Sequence, residues 1–193
     1  MTRLLLALLV TIGVTGCARE PVRGWSPNPE PSAASAAIGQ RYVDFKFADS
    51  KGVERRIGRE LGDYTVLALT RCDRSTHEPA VDLLRAILDV NRNAGNVKVV
   101  GVDIHWSPTG CKDHDQCHLV AAEPNLGTIC DATGAIHRAY GDHKDSWFYL
   151  IGPDRTIELS VPATRGAELS RELETKVRQL SRERVEDSFR YEG

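Results

Sequence analysis

The chain has 193 residues, 41% of them hydrophobic and 27% charged, a length and composition that suit one domain with a hydrophobic core. The formal net charge is only -2, so neither nucleic acid nor an anionic membrane surface is expected as a partner.

The first 16 residues have the composition of a secretory signal peptide. One positive charge, Arg3, precedes an apolar core over residues 4–10, and small residues follow up to Gly16. The apolar core is too short to span a bilayer as a permanent helix. The end of this segment, Val14-Thr15-Gly16-Cys17, resembles the bacterial lipobox, in which the cysteine is acylated and becomes the mature N-terminus. The alternative is an ordinary signal peptide with an incidental cysteine.

The lipobox resemblance implies a bacterial lipoprotein held in a membrane by two or three acyl chains, which anchor a protein where one chain does not. Ala18 rather than aspartate follows Cys17, so the resemblance implies the periplasmic face of the outer membrane as the location within the cell envelope. Residues 17–40 contain the lipidated cysteine and a stretch rich in proline, serine and alanine. This stretch has no apolar period and is predicted to be a flexible linker.

The folded domain is predicted over residues 41–185, and it begins with a β-hairpin. Apolar and polar residues alternate between residues 42 and 47, which indicates a strand. The sequence Asp49-Ser50-Lys51-Gly52 is typical of a turn, and residues 53–57 are predicted to be the partner strand.

A strand, a helix and a second strand follow the hairpin. Thr65–Thr70 is a short apolar run with β-branched residues, which is typical of a buried strand. Apolar residues recur at helical spacing between residues 76 and 93, and Gly95 is suited to end that helix. The apolar run over residues 97–104 predicts the second strand, and this order of elements favours parallel pairing.

The remaining predicted elements are shorter. Residues 105–125 form a polar segment, and a strand over Leu126–Cys130 and a helix over Ala135–Tyr140 follow it. Two further strands, Trp147–Ile151 and Thr156–Val161, are predicted to form a second hairpin. An amphipathic helix over residues 167–185 closes the domain, and residues 186–193 are expected to be a frayed tail.

Cys72 is the first candidate for chemistry, because it follows the buried strand closely and precedes the predicted helix. The positive field at a helix N-terminus favours the thiolate, which is the reactive form of cysteine. The alternative is a small buried residue without reactivity. Cys111, Cys117 and Cys130 follow in the chain. Thiols outside the cytosol tend to pair, and four cysteines allow three pairings.

The order of the elements and four short motifs resemble the thioredoxin-like superfamily, in particular its redoxin or peroxiredoxin-like branch (AhpC/TSA type). The resemblance implies an α/β thioredoxin-like fold, with a central mixed β-sheet flanked by helices and an N-terminal β-hairpin. It also places Cys72 where the superfamily keeps its attacking cysteine, and no cofactor is expected. The motifs are Phe45-x-Phe47-x-Asp49-x-x-Gly52, Val97-x-Val99-Val100-Gly101-Val102, Asp131-Ala132-Thr133-Gly134-x-Ile136-x-x-Ala139-Tyr140-Gly141 and Phe148-Tyr149-Leu150-Ile151-Gly152-Pro153-Asp154-x-x-Ile157.

The sequence departs from this superfamily at three motif positions. Ser75 stands where thioredoxins have the second cysteine of Cys-x-x-Cys, so the site is a degenerate Cys-x-x-Ser. Leu69 stands where peroxiredoxins have their threonine, although Thr70 is adjacent. The segment Asp145-Ser146-Trp147 stands where related redoxins have a cis-proline before the late strand.

The predicted catalytic residues are Cys72, Ser75, Thr70 and Cys130. The hydroxyl of Ser75 can donate to a thiolate but cannot resolve a mixed disulfide. A resolving thiol would come from Cys130, from the other two cysteines or from another protein. Cys130 is the most economical choice, because its strand is expected to end on the same side as Cys72; a core cysteine is the alternative.

A second cluster of cysteines and histidines lies between residues 111 and 118. The first interpretation is a disulfide between Cys111 and Cys117 that pins a loop. The alternative is a soft-metal site for zinc or copper(I). A variant that borrows Cys72 and either His77 or His143 would resemble the Sco-type copper chaperones, although their Cys-x-x-x-Cys motif is absent. The ligands within the cluster would be Cys111, His114, Cys117 and His118.

The other histidines, His77, His105, His137 and His143, are expected to be solvated, and a proton donor is the alternative for each of them. Trp106 and Trp147 are expected to pack in the core or to form an apolar wall beside the site.

The sequence therefore predicts a lipid-anchored thiol oxidoreductase of the cell envelope that acts on disulfides or peroxides through Cys72. A thiol reductant protein is expected as its partner in trans. The alternatives are a copper or zinc carrier and an inactive binding module with a thioredoxin fold.

Overall fold

The computed structural model describes residues 36–48, 53–71, 80, 82–87, 89, 95–106, 126–131 and 133–191. The predicted signal peptide, Cys17 and the linker up to residue 35 lie outside the described residues. Lipidation and location in the cell envelope therefore stay predictions. No helix in the described ranges is both long and apolar enough to cross a membrane.

The predicted N-terminal hairpin is present, but its second strand is shorter than expected. Strand β1 (Lys46–Ala48) pairs antiparallel with β2 (Glu54–Arg56). Ile57, predicted to end the second strand, instead begins α1 (Ile57–Glu60), a single helical turn. The side chains of β2 are exposed whereas that of Ile57 is fully buried, so the chain turns inward where its apolar side chain leaves water.

A five-stranded mixed sheet forms the centre of the domain, as predicted. The order across the sheet is β5-β4-β3-β6-β7. The first three of these strands run parallel, and β6 pairs antiparallel with both β3 and β7. The strands are β3 (Tyr64–Arg71), β4 (Val99–Trp106), β5 (Leu126–Cys130), β6 (Trp147–Ile151) and β7 (Ile157–Pro162).

Strand β4 ends later than the sequence predicts. The predicted strand covers residues 97–104, whereas in the structure His105 and Trp106 continue the ladder opposite Thr70 and Arg71. The sequence pattern misses this extension because the polar side chain of His105 interrupts the apolar run by which the strand is recognised.

Helices cover both faces of the sheet. Residues 80, 82–87 and 89 are helical and belong to α2, and α3 (Ala135–Ala139) follows β5. A 3-10 turn (Ala163–Arg165) leads into α4 (Gly166–Tyr191). The last helix runs past its predicted end at residue 185, since no glycine or proline interrupts the chain before Tyr191.

Two apolar cores lie on the two faces of the sheet. On the α4 face, Val66 and Ala68 of β3 pack against α2 and α4. On the opposite face, here called the α3 face, Leu67 and Leu69 of β3 pack against α1 and α3. Because side chains alternate along a strand, each residue of β3, β4 and β5 is assigned to one of these faces.

An ion pair joins α4 to the start of β3. Arg184 donates from its two terminal nitrogens to both carboxylate oxygens of Asp63, at 3.0 and 2.6 Å. Burial raises the pKa of Asp63, but hydrogen bonds from Arg184 and from the Lys98 backbone outweigh it and hold the pKa below its usual value. This anchor lies at the N-terminal ends of the parallel strands, so their C-terminal ends are left for the candidate site.

Candidate functional site

The C-terminal ends of the three parallel strands place Thr70, His105 and Cys130 side by side. Thr70 of β3 is in register with His105 of β4, and His105 is in register with Cys130 of β5. Register partners on neighbouring parallel strands lie about 4.8 Å apart and point to the same face of the sheet. Alternation from Ala68 assigns these three side chains to the α4 face.

Asp103 lies on the same face, two residues before His105 on β4. We call Thr70, Asp103, His105 and Cys130 the Cys130 row. The hydroxyl of Thr70 donates to Oδ1 of Asp103 at 2.7 Å, and Oδ2 of Asp103 is 3.8 Å from Nδ1 of His105. Thr70, Asp103 and His105 are each 0% exposed. The hydrogen bond between Thr70 and Asp103 makes the burial of these two polar groups tolerable.

Cys130 forms a disulfide bond. Its partner is one of the other four cysteines of the chain, all of which lie outside the described residues. Cys130 is also partly exposed, unlike the three other members of its row. Cys130 is therefore a bonded sulfur at the surface end of the row and not a free thiol in the core.

On the α3 face, His137 holds the end of β3. Its Nε2 lies 3.0 Å from the carbonyl oxygen of Thr70, and its Nδ1 lies 2.9 Å from Oδ2 of Asp131. The same carboxylate oxygen accepts the backbone N–H of His137 at 2.9 Å. Both side chains are buried, and together they fix the position of the residue two before Cys72.

The hydrogen bonds of the His137 ring require that the Asp131–His137 pair carries no net charge. A carbonyl oxygen only accepts, so Nε2 of His137 must carry a proton to bond Thr70. The contact between Nδ1 and Asp131 then holds one further proton, located either on the ring or on the carboxyl group. The pair is neutral as a whole in both cases, which suits its burial.

Arg71 directly precedes Cys72 and binds the loop that follows α3. Its Nε and Nη2 donate to the carbonyl oxygen of His143 at 3.2 and 2.9 Å. Its guanidinium carbon lies 4.7 Å from the centre of the Trp106 ring, and Nη2 is 3.7 Å from a carboxylate oxygen of Asp142. The stacked cation and its hydrogen bonds hold His143 beside the end of β3.

The imidazole of His143 fits between Gly141 and Trp147. It stacks on Trp147 with ring centres 3.8 Å apart and planes inclined by 9°. Gly141 has a φ of +111°, and a Cβ atom there would lie 3.0 Å from Nε2 of His143. Glycine alone suits both the backbone angle and the space.

The hydrogen bonds around His143 fix its tautomer. The single hydroxyl proton of Tyr149 is donated to the carbonyl oxygen of Tyr140, so Nε2 of His143, at 2.7 Å, must donate to the Tyr149 oxygen. Burial raises the pKa of Tyr149 to about 12, which keeps this phenol protonated. Burial also lowers the pKa of His143, so its ring is neutral at pH 7 with the lone pair on Nδ1.

The structure brings together two of the four predicted catalytic residues, Thr70 and Cys130, with His105 between them. The other two, Cys72 and Ser75, lie outside the described residues. The predicted disulfide and the alternative metal site therefore stay predictions. Their residues, Cys111, His114, Cys117 and His118, also lie outside that part of the chain, as does His77.

The expectation that His105 and His137 are solvated is wrong. Their exposed fractions are 0% and 2%, and Nδ1 of each ring lies near a buried carboxylate, Asp103 for His105 and Asp131 for His137. His143 is half-buried. Trp106 and Trp147 are also half-buried and line the same edge of the sheet, beside Arg71 and His143.

Sequence reasoning overlooks Asp103 and Asp131. A signal for Asp103 is present, because an acidic residue inside an apolar strand predicts a buried polar group that needs a partner. No comparable signal links Asp131 and His137 to Thr70, since that contact joins residues 67 positions apart in the chain.

Within the described ranges, no group of three His, Cys, Asp or Glu side chains is arranged to hold a metal ion. Any metal site in this chain would thus need ligands from the segments outside those ranges.

Comparison with known proteins identifies the fold. No protein-family model and no curated protein matches the sequence, whereas solved structures do. A thioredoxin-like protein from Bacteroides caccae is 16% identical with a TM-score of 0.56, over 72% of this chain and 50% of that one. This chain therefore spans about half the length of that protein.

Two other structures resemble the chain over most of their own length. A secreted disulfide oxidoreductase from Mycobacterium tuberculosis, homologous to DsbE of E. coli, is 19% identical with a TM-score of 0.53, covering 67% of this chain and 93% of that one. ScoI from Arabidopsis thaliana, with copper bound, is 18% identical with a TM-score of 0.53, covering 74% and 99%. At these identities the comparisons establish the fold alone. The chain has a thioredoxin-like fold, as predicted from its sequence.

Proposed function

We propose that the protein is a thiol–disulfide oxidoreductase in which Cys72 attacks the substrate and Cys130 resolves the mixed disulfide. The observation that carries this proposal is the disulfide bond of Cys130 at the edge where β3 ends. A cysteine that is bonded at this edge is placed to exchange its partner with a thiol next to it.

The proposed cycle balances as a two-electron exchange. The Cys72 thiolate attacks a substrate disulfide, forms a mixed disulfide and releases one substrate thiolate, which takes up a proton. The Cys130 thiol then loses its proton and attacks the sulfur of Cys72, and the second substrate thiolate leaves. The substrate is reduced to a dithiol, and the protein is oxidised to a Cys72–Cys130 disulfide. A dithiol protein in trans would return it to the reduced form.

Chain geometry allows this pairing. Thr70 and Cys130 are separated by one intervening strand, so their Cα atoms lie about 10 Å apart. A disulfide holds its two Cα atoms at about 4.4–6.8 Å. Arg71 continues β3 opposite Trp106, so the chain can turn toward β5 only in the step of about 3.8 Å from Arg71 to Cys72, which brings the Cα atoms of Cys72 and Cys130 to about 6.4 Å at the closest. Cys130 is therefore within reach of Cys72.

The similarity to a secreted disulfide oxidoreductase supports disulfides rather than peroxides as the substrate class. A lipid anchor at Cys17 and the periplasmic face of the outer membrane are part of the proposal, and peroxide is the alternative substrate. The Ser75 hydroxyl is proposed to donate to the Cys72 thiolate, and the buried Thr70 hydroxyl binds Asp103 beneath it.

Turnover of a disulfide-containing test protein such as insulin, with dithiothreitol as reductant, tests the proposal. We expect Cys72→Ser to abolish catalysed reduction. Cys130→Ser, reduced beforehand and mixed with insulin after dithiothreitol has been removed, should leave a trapped mixed disulfide at Cys72. The matched control is the double variant Cys111→Ser/Cys117→Ser, which should keep turnover. Full turnover by Cys72→Ser would contradict the proposal. Consumption of hydrogen peroxide instead of insulin would assign the peroxidase alternative.

A soft-metal carrier is the second candidate function. The observation that favours it is the neutral His143 ring, which keeps a lone pair on Nδ1 and belongs to the residue whose carbonyl oxygen binds Arg71, the residue before Cys72. The chain also resembles copper-bound ScoI in structure. Copper(I) titration of the reduced protein separates the two functions. Stoichiometric binding that is lost in His143→Gln or Cys117→Ser would favour the carrier.

A further inference from the structure

We infer that His105, supported by Asp103, carries the proton that Cys130 must lose and regain during the disulfide exchange. This inference deepens the proposed function, since it assumes that the disulfide of Cys130 opens and closes. Neither residue belongs to the predicted catalytic set, and both are described in full by the structure.

The register places His105 next to Cys130. The two residues are paired on adjacent parallel strands, so their Cα atoms lie about 4.8 Å apart and their side chains share the α4 face. On its other side His105 is paired with Thr70 of β3. No other histidine in the described ranges is in register with a cysteine.

Cys130 has a solvent side, but on its sheet side burial leaves a protein group as the available proton acceptor. His105 and Asp103 are both 0% exposed, so water does not reach them from the sheet side of Cys130. The α2 residues that the structure describes on this face, Ala80, Leu84 and Ile87, are apolar and supply no alternative base. A thiol that attacks a disulfide must lose its proton, and a neutral imidazole beside it can accept that proton.

Asp103 stabilises the charged form of the ring that results. Its Oδ2 is 3.8 Å from Nδ1 of His105, while its Oδ1 is held by the Thr70 hydroxyl at 2.7 Å. An opposite charge at this distance favours the imidazolium. Among the residues that the structure describes, the other charged groups at this edge lie on the α3 face: Arg71 contacts Trp106 there, and Asp131 and His137 form a neutral pair. Asp103 is thus the carboxylate that faces His105 from within the row.

The step is balanced in both directions. When Cys130 attacks the sulfur of Cys72, the Cys130 proton moves to the ring of His105, the Cys72–Cys130 bond forms and the substrate thiolate leaves. When an external dithiol opens that bond, Cys130 leaves as a thiolate and takes the proton back from His105. The dithiol is the reductant in this second reaction and ends as a disulfide.

The test measures the rate at which dithiothreitol opens the disulfide of Cys130 in the purified protein. Samples are quenched with an alkylating reagent, and the peptide that contains Cys130 is quantified by mass spectrometry between pH 6 and pH 8. In the native protein the rate should rise less steeply with pH than thiolate attack alone, because opening also consumes a proton, which His105 donates. In His105→Gln the rate should rise about tenfold per pH unit throughout, as expected for thiolate attack alone.

At pH 7 we expect His105→Gln to be about 10²-fold slower than the native protein, the lower end for positioned proton transfer. Asp103→Asn should lose roughly tenfold, since it removes the charge that favours the imidazolium. His137→Gln is the matched control, because it changes a buried histidine beside the same strand end but on the opposite face. It should keep the native pH profile even if it lowers stability.

The inference is overturned if both His105→Gln and Asp103→Asn open the disulfide at the native rate with the native pH profile. It is also overturned if His137→Gln loses as much of the opening rate as His105→Gln does. Two independent positions are used so that a folding failure of one variant, seen by circular dichroism, leaves the other as the test. The assay does not depend on substrate turnover. If turnover needs Cys72 but the His105 profile is native, only this inference fails; if turnover ignores Cys72, the proposed function fails.

Discussion

His137 illustrates at the scale of a single residue how this fold keeps polar groups in its interior. The ring bridges Asp131 and the Thr70 carbonyl oxygen, so two residues far apart in the sequence meet at the end of β3. Each of the three buried groups depends on the others, because an unsatisfied polar group in the interior is costly. Removing the ring therefore has a predictable cost.

We expect His137→Leu to lower the free energy of unfolding by about 3–5 kcal/mol, since it leaves the Asp131 carboxylate buried without its partner. Urea denaturation of the oxidised protein, with linear extrapolation, measures this change. The double variant Asp131→Ala/His137→Leu should recover at least about 1 kcal/mol, because the unsatisfied carboxylate is then gone. A loss below about 1 kcal/mol in the single variant would contradict the structural role given to this pair.

The sequence predicts Thr70 and Cys130 as site residues but not the acid–histidine contacts around them. Thr70 and Cys130 stand at strand ends, which hydrophobic patterns locate well. His105 and His137 look like ordinary surface histidines, because a sequence does not show the carboxylates that make their burial tolerable. Asp103 is the exception, since its place within an apolar strand already indicates a buried partner.

At the scale of an element, the loop between α3 and β6 is built around His143. The left-handed Gly141, the stacked Trp147 and the hydroxyl of Tyr149 all contact its ring. Asp142 also has a positive φ of 45°, so two consecutive residues adopt the left-handed region to deliver His143 to the site. A non-glycine residue in this region is uncommon and marks a backbone held by its surroundings.

The loop makes stability depend on pH. Burial lowers the pKa of His143 in the folded protein. Below about pH 6.5 the ring therefore takes up a proton in the unfolded chain, whereas in the folded chain it does so only at a lower pH. The contribution of His143 is thus complete above about pH 6.5 and is lost as the pH falls through its folded pKa. Between pH 6.5 and 5 we expect the free energy of unfolding of the native protein to fall more steeply with falling pH than that of His143→Gln. The difference in slope is at most about 1.4 kcal/mol per pH unit. Equal slopes in urea denaturation would contradict the neutral, buried state of this ring.

The elements themselves are largely predictable from the chain. Strand β3 follows an apolar run, and β7 follows an alternation of apolar and polar residues. The helical residues 80, 82–87 and 89 lie where apolar residues recur at helical spacing. The errors fall where burial of one side chain overrides the pattern. Ile57 turns the hairpin strand into α1, and the buried His105 carries β4 beyond the apolar run.

At the scale of the whole molecule, the two faces of the sheet separate two kinds of polar group at the same edge. The α4 face carries the Cys130 row, in which a bonded cysteine, a histidine and a carboxylate follow one another. The α3 face carries the neutral Asp131–His137 pair, Arg71 and His143. The thioredoxin-like fold brings these groups together at the point where β3 leads into Cys72.

Peptide mapping of the purified protein under non-reducing conditions identifies the disulfide partner of Cys130, on which the proposed cycle depends. Digestion is carried out without a reductant, after free thiols have been alkylated. We expect a peptide pair joined by Cys72 and Cys130. A pair that joins Cys130 to Cys111 or Cys117 would contradict the proposed cycle, because the bonded sulfur of the row would then be closed off from the proposed nucleophile.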